Sequence, residues 1–379
     1  MKQYPFLDLR AVVEPYADEL REAALRVIDS GRYVGGPEVE ALESQLAGLL
    51  KVPYVVGVSN GLDALRLTLR AWVELGRLKP GDEVIVPANT YIATILAVTD
   101  AGLMPVPVEP SIETMNLDTS LLEAALTPRT RAVMPVHLYG NVVWDSALVD
   151  FVRHHDLLVL EDNAQAIGGR ALAPGLFGSD MAGALGHAGA LSFYPTKNIG
   201  ALGDAGAVVT HDAELARTVR ALANYGSDRR YHNIMAGFNC RLDPMQAALI
   251  GVRLKHIKEE NADRFARALA YTRELNNPVV IAPGVSREVV DQVWHQYVVR
   301  VTGGRRDTLA EELRKRGVAT DIHYAVPPHR QPCYATTLGR KSYPVTEQLA
   351  SEVLSLPIAR GTEVKDAADI ARIINEIKL

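Results

Sequence analysis

The sequence predicts an α/β fold, in which a mostly parallel central sheet is covered by helices and is followed by a smaller α+β domain. In the first half of the chain, short apolar segments alternate with stretches of helical periodicity. These apolar segments are nearly continuous, as in parallel strands that are covered on both faces. A chain of 379 residues is also long enough for two domains, each with its own interior.

Five apolar segments account for the predicted sheet. Between the first two, Leu65, Leu69, Trp72 and Leu75 recur at helical spacing, which predicts a helix with one buried face. Strands that alternate with helices in this way form parallel sheets. The predicted strands are 54–59, 82–87, 104–109, 131–137 and 157–162.

The second half of the chain predicts a different arrangement. Asp243 followed by Pro244 is typical of a helix start, and a long helical pattern runs on to about residue 275. Beyond it we expect a smaller domain of about 100 residues. Its predicted elements are a strand at 295–301, a helix at 305–317, a strand at 319–324 and a helix at 366–378. The expected organisation is a large domain at 1–242, a connecting helix at 243–276 and a small domain at 277–379.

Composition excludes several classes of function. The net charge of -5 and the isoelectric point near 6.1 argue against nucleic-acid binding. Two cysteines give neither a disulfide framework nor a cysteine metal cluster, and no histidine pair has metal-ligand spacing. The first residues include no apolar signal region, and no stretch is long enough to span a bilayer. We therefore expect a soluble cytoplasmic protein without a bound metal.

The segment 191–210, LSFYPTKNIGALGDAGAVVT, places Lys197 between an aromatic run and a glycine-rich run. A lysine by itself is usually a surface residue. Here the apolar residues before it and the glycines after it predict a desolvated side chain, and burial lowers the pKa of an amine. A neutral amine can attack a carbonyl and form a Schiff base, so Lys197 is a candidate nucleophile.

Asp162 ends an apolar run, which places it at the carboxyl edge of a parallel sheet, where ligands of such folds bind. It can equally cap the following helix. A carboxylate at this edge is also a suitable partner for a cationic heterocycle. Asp162 and Lys197 are 35 positions apart, enough for one strand–loop–strand excursion to bring them together.

The segment 58–70, VSNGLDALRLTLR, predicts a strand, a turn at Ser59–Gly61 and a helix. Free N–H groups at such a helix start can bind a phosphate, although a plain strand-to-helix turn has the same pattern. Tyr91 can stack on a flat ring or fill the core. Ser192 can bind a phosphate or pack as a small residue.

Several motifs in one order resemble the sugar aminotransferases of the DegT/DnrJ/EryC1/StrS family, which are pyridoxal phosphate (PLP) enzymes with the aspartate aminotransferase fold, fold type I. The resemblance covers nearly the whole chain. The motifs are FLDLR, GRYVGGPEVEALE, PANTYIAT, EDNAQAIGG, SFYPTKNIGALGDAGAVVT, GFNCRLDPMQAA and IHYAVPPHRQPCY.

The resemblance implies a role for each candidate residue. Lys197 would bind PLP as a Schiff base and carry protons once released, with pyridoxamine 5′-phosphate as the intermediate form. Asp162 would pair with the ring nitrogen, Gln165 with the ring hydroxyl, and Tyr91 would stack on the ring. The phosphate would be bound by Gly61, Leu62 and Ser192, and by Asn239 of a neighbouring subunit, so the resemblance also implies a homodimer with shared active sites. Asn60 is expected to bind the cofactor as well.

The resemblance also implies a substrate class. Tyr194 and the following NIGALGDAG are similar to family members that aminate C-3 of a sugar, so the expected acceptor is a dTDP-3-keto-6-deoxyhexose and the expected donor is L-glutamate. The residues expected to bind the substrate are Tyr194, Arg230, His323 and Tyr324. The chain departs from the family pattern at Leu62, where Thr or Ser is usual, at Cys240, where Ser is usual, and at Leu191, where Phe is common.

Three alternatives remain open at this point. The first is an aminotransferase that acts at C-4. The second is a sugar dehydratase of the same family, but those enzymes typically have histidine in place of the lysine. The third is a non-catalytic regulatory protein that keeps the fold and binds PLP.

Overall fold

The computed structural model describes residues 2–284 and 292–378. The elements include twelve strands and thirteen α-helices in the described part of the chain. The strands are β1 (Tyr54–Val58), β2 (Glu83–Pro87), β3 (Met104–Val108), β4 (Thr130–Val133), β5 (Leu158–Asp162), β6 (Ala188–Ser192), β7 (Gly206–Thr210), β8 (Ser227–Arg229), β9 (His232–Asn233), β10 (Val280–Ile281), β11 (Tyr297–Val301) and β12 (Val353–Leu356). The helices are α1 (Leu9–Val13), α2 (Ala17–Ser30), α3 (Pro37–Leu50), α4 (Gly61–Glu74), α5 (Ile92–Asp100), α6 (Leu122–Ala125), α7 (Ser146–His154), α8 (Ala213–Ala223), α9 (Pro244–Leu254), α10 (Ile257–Glu274), α11 (Arg306–Lys315), α12 (Pro344–Glu352) and α13 (Val364–Glu376).

The central sheet has seven strands in the order β1-β7-β6-β5-β4-β2-β3. The four pairs from β6 to β3 are parallel, and β7 is antiparallel to both of its neighbours. The predicted fold class is therefore confirmed. Because β2, β4, β5 and β6 run in the same direction, the loops that follow them meet at one edge of the sheet.

Helices cover both faces of this sheet. Trp72 of α4 and Leu215 of α8 pack against one face, and Leu46 of α3 and Ile250 of α9 pack against the other, all fully buried. This double cover explains why the strands have continuous apolar sequences.

The predicted connecting helix at 243–276 is two helices, α9 and α10, because the chain leaves helical geometry at His256 (φ -102°, ψ 6°). Pro244 begins α9 as expected, but the Asp243 side chain makes no capping hydrogen bond.

The last part of the chain forms a three-stranded antiparallel sheet, β10-β11-β12, against which α10, α11 and α13 pack. The helices predicted at 305–317 and 366–378 correspond to α11 and α13. The strand predicted at 319–324 is wrong, because only Asp321 pairs with β12, through Ser355. Within residues 2–284 and 292–378, no helix is long and apolar enough to cross a membrane.

Candidate active site

A cavity of about 460 Å³ lies at the carboxyl edge of the central sheet. Residues after β1, β2, β5 and β6 line it, together with residues from the C-terminal part of the chain. Eleven of the thirteen site residues predicted from the sequence lie on its wall. They are Asn60, Gly61, Leu62, Tyr91, Asp162, Gln165, Ser192, Tyr194, Lys197, His323 and Tyr324.

Lys197 lies in a tight turn between β6 and β7. Its backbone N–H donates to the carbonyl of Tyr194 at 2.8 Å, and a Cβ at Gly200 would come within 2.3 Å of the carbonyl oxygen of Pro195, so glycine is required there. The Lys197 side chain is half-buried because it opens onto the cavity. Desolvation lowers its pKa to about 8, against the opposing charge of Asp162.

Asp162 is the last residue of β5, as the sequence predicts, and is only 5% exposed. Its Oδ2 accepts a hydrogen bond from Oγ1 of Thr94 at 2.8 Å, and its Oδ1 accepts one from the N–H of Ala164 at 3.2 Å. Burial raises the pKa of the carboxyl, and these two donors oppose that shift. Thr94 was not predicted from the sequence, because a threonine in a helix gives no signal of this kind.

Gln165 is fixed by two hydrogen bonds. Its Oε1 accepts from the N–H of Tyr139 at 2.6 Å, and its Nε2 donates to the hydroxyl of Tyr324 at 3.1 Å. The second amide proton of Gln165 remains for a ligand. The rings of Tyr91 and Tyr324 lie 5.1 Å apart, and burial raises the pKa of the Tyr324 phenol, which therefore stays protonated.

The start of α4 lies directly against the end of β6. A Cβ at Gly61 would come within 2.6 Å of the Cβ of Ser192, so the absence of a side chain allows this contact. Asn60 caps the helix by accepting from the N–H of Asp63 at 2.8 Å. Among the described residues, the N–H groups of Gly61 and Leu62 have no partner, so the positive end of the helix offers two free donors beside the Ser192 hydroxyl.

The ring of His323 is held by two neighbours. Gln296 Nε2 lies 3.0 Å from its Nε2, and the hydroxyl of Ser355 lies 2.9 Å from its Nδ1. The amide nitrogen of Gln296 donates, so Nε2 of His323 accepts and carries no proton. The ring is therefore neutral, in keeping with burial, which lowers the pKa of His323.

A second polar group, missed by the sequence analysis, lies beside Lys197. Asn198 donates from Nδ2 to Asn261 at 2.9 Å and to the carbonyl of Val293 at 3.1 Å, and its Oδ1 lies 3.1 Å from Nδ1 of His295. His295 also lines the cavity, and burial lowers its pKa well below the ordinary value. These bonds anchor the Lys197 turn to the start of β11 and to α10.

Two predicted site residues, Arg230 and Asn239, lie outside this cavity. Arg230 lines a separate cavity of about 730 Å³, with its guanidinium 4.9 Å from the ring centre of Tyr231. The cavity is next to the hairpin formed by β8 and β9. Asn239 is exposed and pairs with Asn224, just before this hairpin. Within residues 2–284 and 292–378, neither residue lines the cavity that contains Lys197.

Comparison with known proteins decides the family. The model of the DegT/DnrJ/EryC1/StrS aminotransferase family matches residues 16–377. The chain belongs to this family. The match confirms the resemblance inferred from the motifs, and it identifies the protein as an aminotransferase-family enzyme.

Two curated relatives match over 98% of this chain. A dTDP-3-amino-3,4,6-trideoxy-alpha-D-glucose transaminase from Streptomyces venezuelae is 45% identical, with 95% of its own length covered. A dTDP-3-amino-3,6-dideoxy-alpha-D-galactopyranose transaminase from Aneurinibacillus thermoaerophilus is 41% identical, with 98% covered.

Solved structures confirm the fold. DesV from S. venezuelae superposes with a TM-score of 0.92 at 44% identity, over 99% of this chain and 98% of that one. The ntda protein from Bacillus subtilis, solved with the cofactor pyridoxamine phosphate (PMP) bound, gives a TM-score of 0.89 at 30% identity, over 99% of this chain and 86% of that one.

Proposed function

We propose that this enzyme uses PLP to transfer an amino group from L-glutamate to C-3 of a dTDP-3-keto-6-deoxyhexose. The observation that carries the proposal is the meeting of Lys197, Asp162 and the start of α4 in one cavity. Together they offer a nucleophilic amine, a buried carboxylate and an anion site, which match the aldehyde, the ring nitrogen and the phosphate of PLP.

The residues present fit this cofactor. Gly61 leaves room for a close approach of the helix start to Ser192, and the two free N–H groups there suit a phosphate. Leu62 offers only its backbone to that site. When bound, PLP withdraws electrons from the donor carbon and carries the amino group between the two substrates.

Four side chains of the cavity have roles toward the cofactor in this proposal. Lys197 holds the cofactor and, when released, moves a proton as a neutral amine. Asp162 would pair with the ring nitrogen and keep it protonated, Gln165 would bind the ring hydroxyl through its free amide proton, and Tyr91 would stack on the ring.

The acceptor sugar is proposed to lie at the open side of the cavity. Tyr194, with a half-exposed ring, and the protonated hydroxyl of Tyr324 lie there to bind it. His323 has both ring nitrogens bonded within the protein, so its contact with the sugar is through the edge of the ring. The two relatives named as 3-amino-sugar transaminases support C-3 over C-4.

The test begins with the absorbance spectrum of the purified protein with PLP, before and after L-glutamate. We expect a visible band of the lysine-bound cofactor, which moves to the near ultraviolet when glutamate is added. The loaded protein is then given the 3-keto and the 4-keto isomers of the dTDP sugar. We expect kcat/KM for the 3-keto isomer to be at least about tenfold higher.

The Lys197→Ala variant is the control, and it should show neither the visible band nor turnover. A higher kcat/KM for the 4-keto isomer would overturn the C-3 assignment. A band that does not respond to glutamate would contradict the proposed donor and favour a dehydratase-like or regulatory protein.

A further inference from the structure

Two buried hydroxyl groups form a chain that ends on Asp162. Oγ1 of Thr90 lies 2.7 Å from Oγ1 of Thr94, which in turn donates to Asp162 Oδ2 at 2.8 Å. Thr94 is completely buried, in the first turn of α5, and Thr90 is 1% exposed. Bulk water therefore has no access from which to replace the Thr94 hydroxyl.

The direction of the hydrogen bonds from Thr90 to Thr94 to Asp162 follows from the negative charge of the carboxylate. An ionised carboxylate only accepts hydrogen bonds, so the single proton of Thr94 goes to Asp162. The Thr94 oxygen is then an acceptor, and the proton between the two threonines comes from Thr90. Both hydroxyl protons point toward the carboxylate, an arrangement that stabilises its ionised form.

Other charged or titratable groups also face Asp162 and could in principle stabilise its ionised form. Those that face it are Lys197 from the β6–β7 turn, His137 after β4, and Tyr324 from the C-terminal part of the chain. Among the described residues, none of these three donates a hydrogen bond to the carboxylate. Apart from the N–H of Ala164, Thr94 is its donor, and the remaining lone pairs of Oδ1 and Oδ2 are available to a ligand.

We infer that Thr94, oriented by Thr90, is a positioning residue that keeps Asp162 ionised and aimed at the ring nitrogen of PLP. The inference rests on the proposed function, since it assumes that Asp162 faces that nitrogen. Thr94 does not touch the substrates. It acts through the carboxylate alone, so its loss changes cofactor binding before it changes anything else.

The experiment measures the dissociation constant of PLP, by absorbance titration of cofactor-free protein, in three variants. Thr94→Val keeps the shape and loses the hydroxyl, and we expect PLP binding about tenfold weaker, because a hydrogen bond to a charged group is lost. Thr94→Ser keeps the hydroxyl and should stay within about threefold of the wild type. Thr218→Val, at a buried helical threonine whose hydroxyl bonds the carbonyl of Glu214, is the matched control and should bind PLP as the wild type does.

A second readout is the pH at which PLP is lost on the acid side. Without the Thr94 donor the carboxyl protonates more easily, so we expect the midpoint of the Thr94→Val variant at higher pH than that of the wild type. A purely structural role of Thr94 would leave this midpoint unchanged. If Thr94→Val does not fold, Thr90→Val replaces it in both measurements, because this variant keeps the Thr94 hydroxyl but removes the group that orients it. We expect Thr90→Val to bind PLP about threefold more weakly than the wild type.

Either wild-type affinity or an unchanged midpoint in the Thr94→Val variant, or in Thr90→Val where that one is used, would overturn the inference. So would an equal weakening in Thr218→Val. Failure of the wild type to bind PLP is a different result, because it would contradict the proposed function itself.

Discussion

The environment of Lys197 raises the neutral fraction of its amine above that of an ordinary lysine. The side chain opens onto a cavity rather than onto bulk water, and desolvation lowers its pKa to about 8. At pH 7 roughly a tenth of such amines are neutral, whereas an ordinary lysine is almost entirely protonated. Only the neutral amine attacks an aldehyde, so this shift prepares the residue for its cofactor.

The lowered pKa predicts how cofactor incorporation depends on pH. The rate at which cofactor-free protein forms the visible PLP band should rise with pH up to about 8 and then level off, because above the pKa the amine is already neutral. Stopped-flow absorbance at a series of pH values measures this rate. The Lys197→Ala variant should show no band. A rate that keeps rising to pH 10 would show an unperturbed lysine.

At the scale of the element, two close contacts fix the first turn of α4, one between Gly61 and Ser192 and one between Gly206 and the backbone of Asn60. The helix starts against Ser192 only because residue 61 has no side chain. The backbone at residue 61 has no positive φ, so an alanine there would not strain the helix. Its methyl group would instead clash with Ser192. Any shift of this turn would also move the free N–H groups of Gly61 and Leu62, which are proposed to bind the phosphate.

Gly61→Ala is therefore expected to weaken PLP binding by about tenfold or more, because the helix start must move away from the end of β6. The control is Gly48→Ala in α3, where an added Cβ meets nothing within 4 Å. That variant should bind PLP normally and gain about 0.5–1 kcal/mol in stability. Titration with PLP and thermal unfolding measure both effects. Equal PLP affinity in the two variants would exclude the proposed phosphate site.

Two secondary-structure predictions were wrong, the continuous helix at 243–276 and the strand at 319–324. The apolar spacing continues from α9 into α10, so nothing in it marks the break at His256. The segment 319–324 has the composition of a strand, but its last two residues, His323 and Tyr324, line the cavity. His323 bonds Ser355 and Gln296 with its ring, and only Asp321 keeps a backbone pairing.

At the scale of the whole molecule, the strands that lead into the site could be predicted from the sequence, because they depend on local pattern. Eleven residues of the cavity wall were also predicted, Lys197 and Asp162 from local pattern and others, such as Gln165, from the family resemblance. Asp162 ends an apolar strand and Gly61 starts a helix, and parallel topology brings strand ends together. The contacts of Thr94 with Asp162 and of Asn198 with His295 could not be predicted, since they join residues 68 and 97 positions apart.

The single subunit leaves two of the predicted site residues without a site. Arg230 and Asn239 lie outside the cavity that contains Lys197. They are on or beside the β8–β9 hairpin, which has exposed side chains such as Tyr231. A homodimer in which each hairpin reaches the partner's cavity would bring them to the phosphates of cofactor and substrate. Self-complementary pairing of this kind is the commonest form of protein assembly.

Complementation tests this arrangement directly. Lys197→Ala and Asn239→Ala subunits are co-expressed with different affinity tags, and the mixed dimer is isolated. If Asn239 acts in the neighbouring site, one of the two sites in each mixed dimer has both residues intact. A random mixture should then recover about a quarter of the wild-type turnover, and the isolated mixed dimer about half.

If Asn239 acts within its own subunit, every site lacks one residue, and co-expression should give no more activity than the two variants measured separately. Size-exclusion chromatography of the wild type supplies the independent measurement, since a monomer would exclude shared sites altogether.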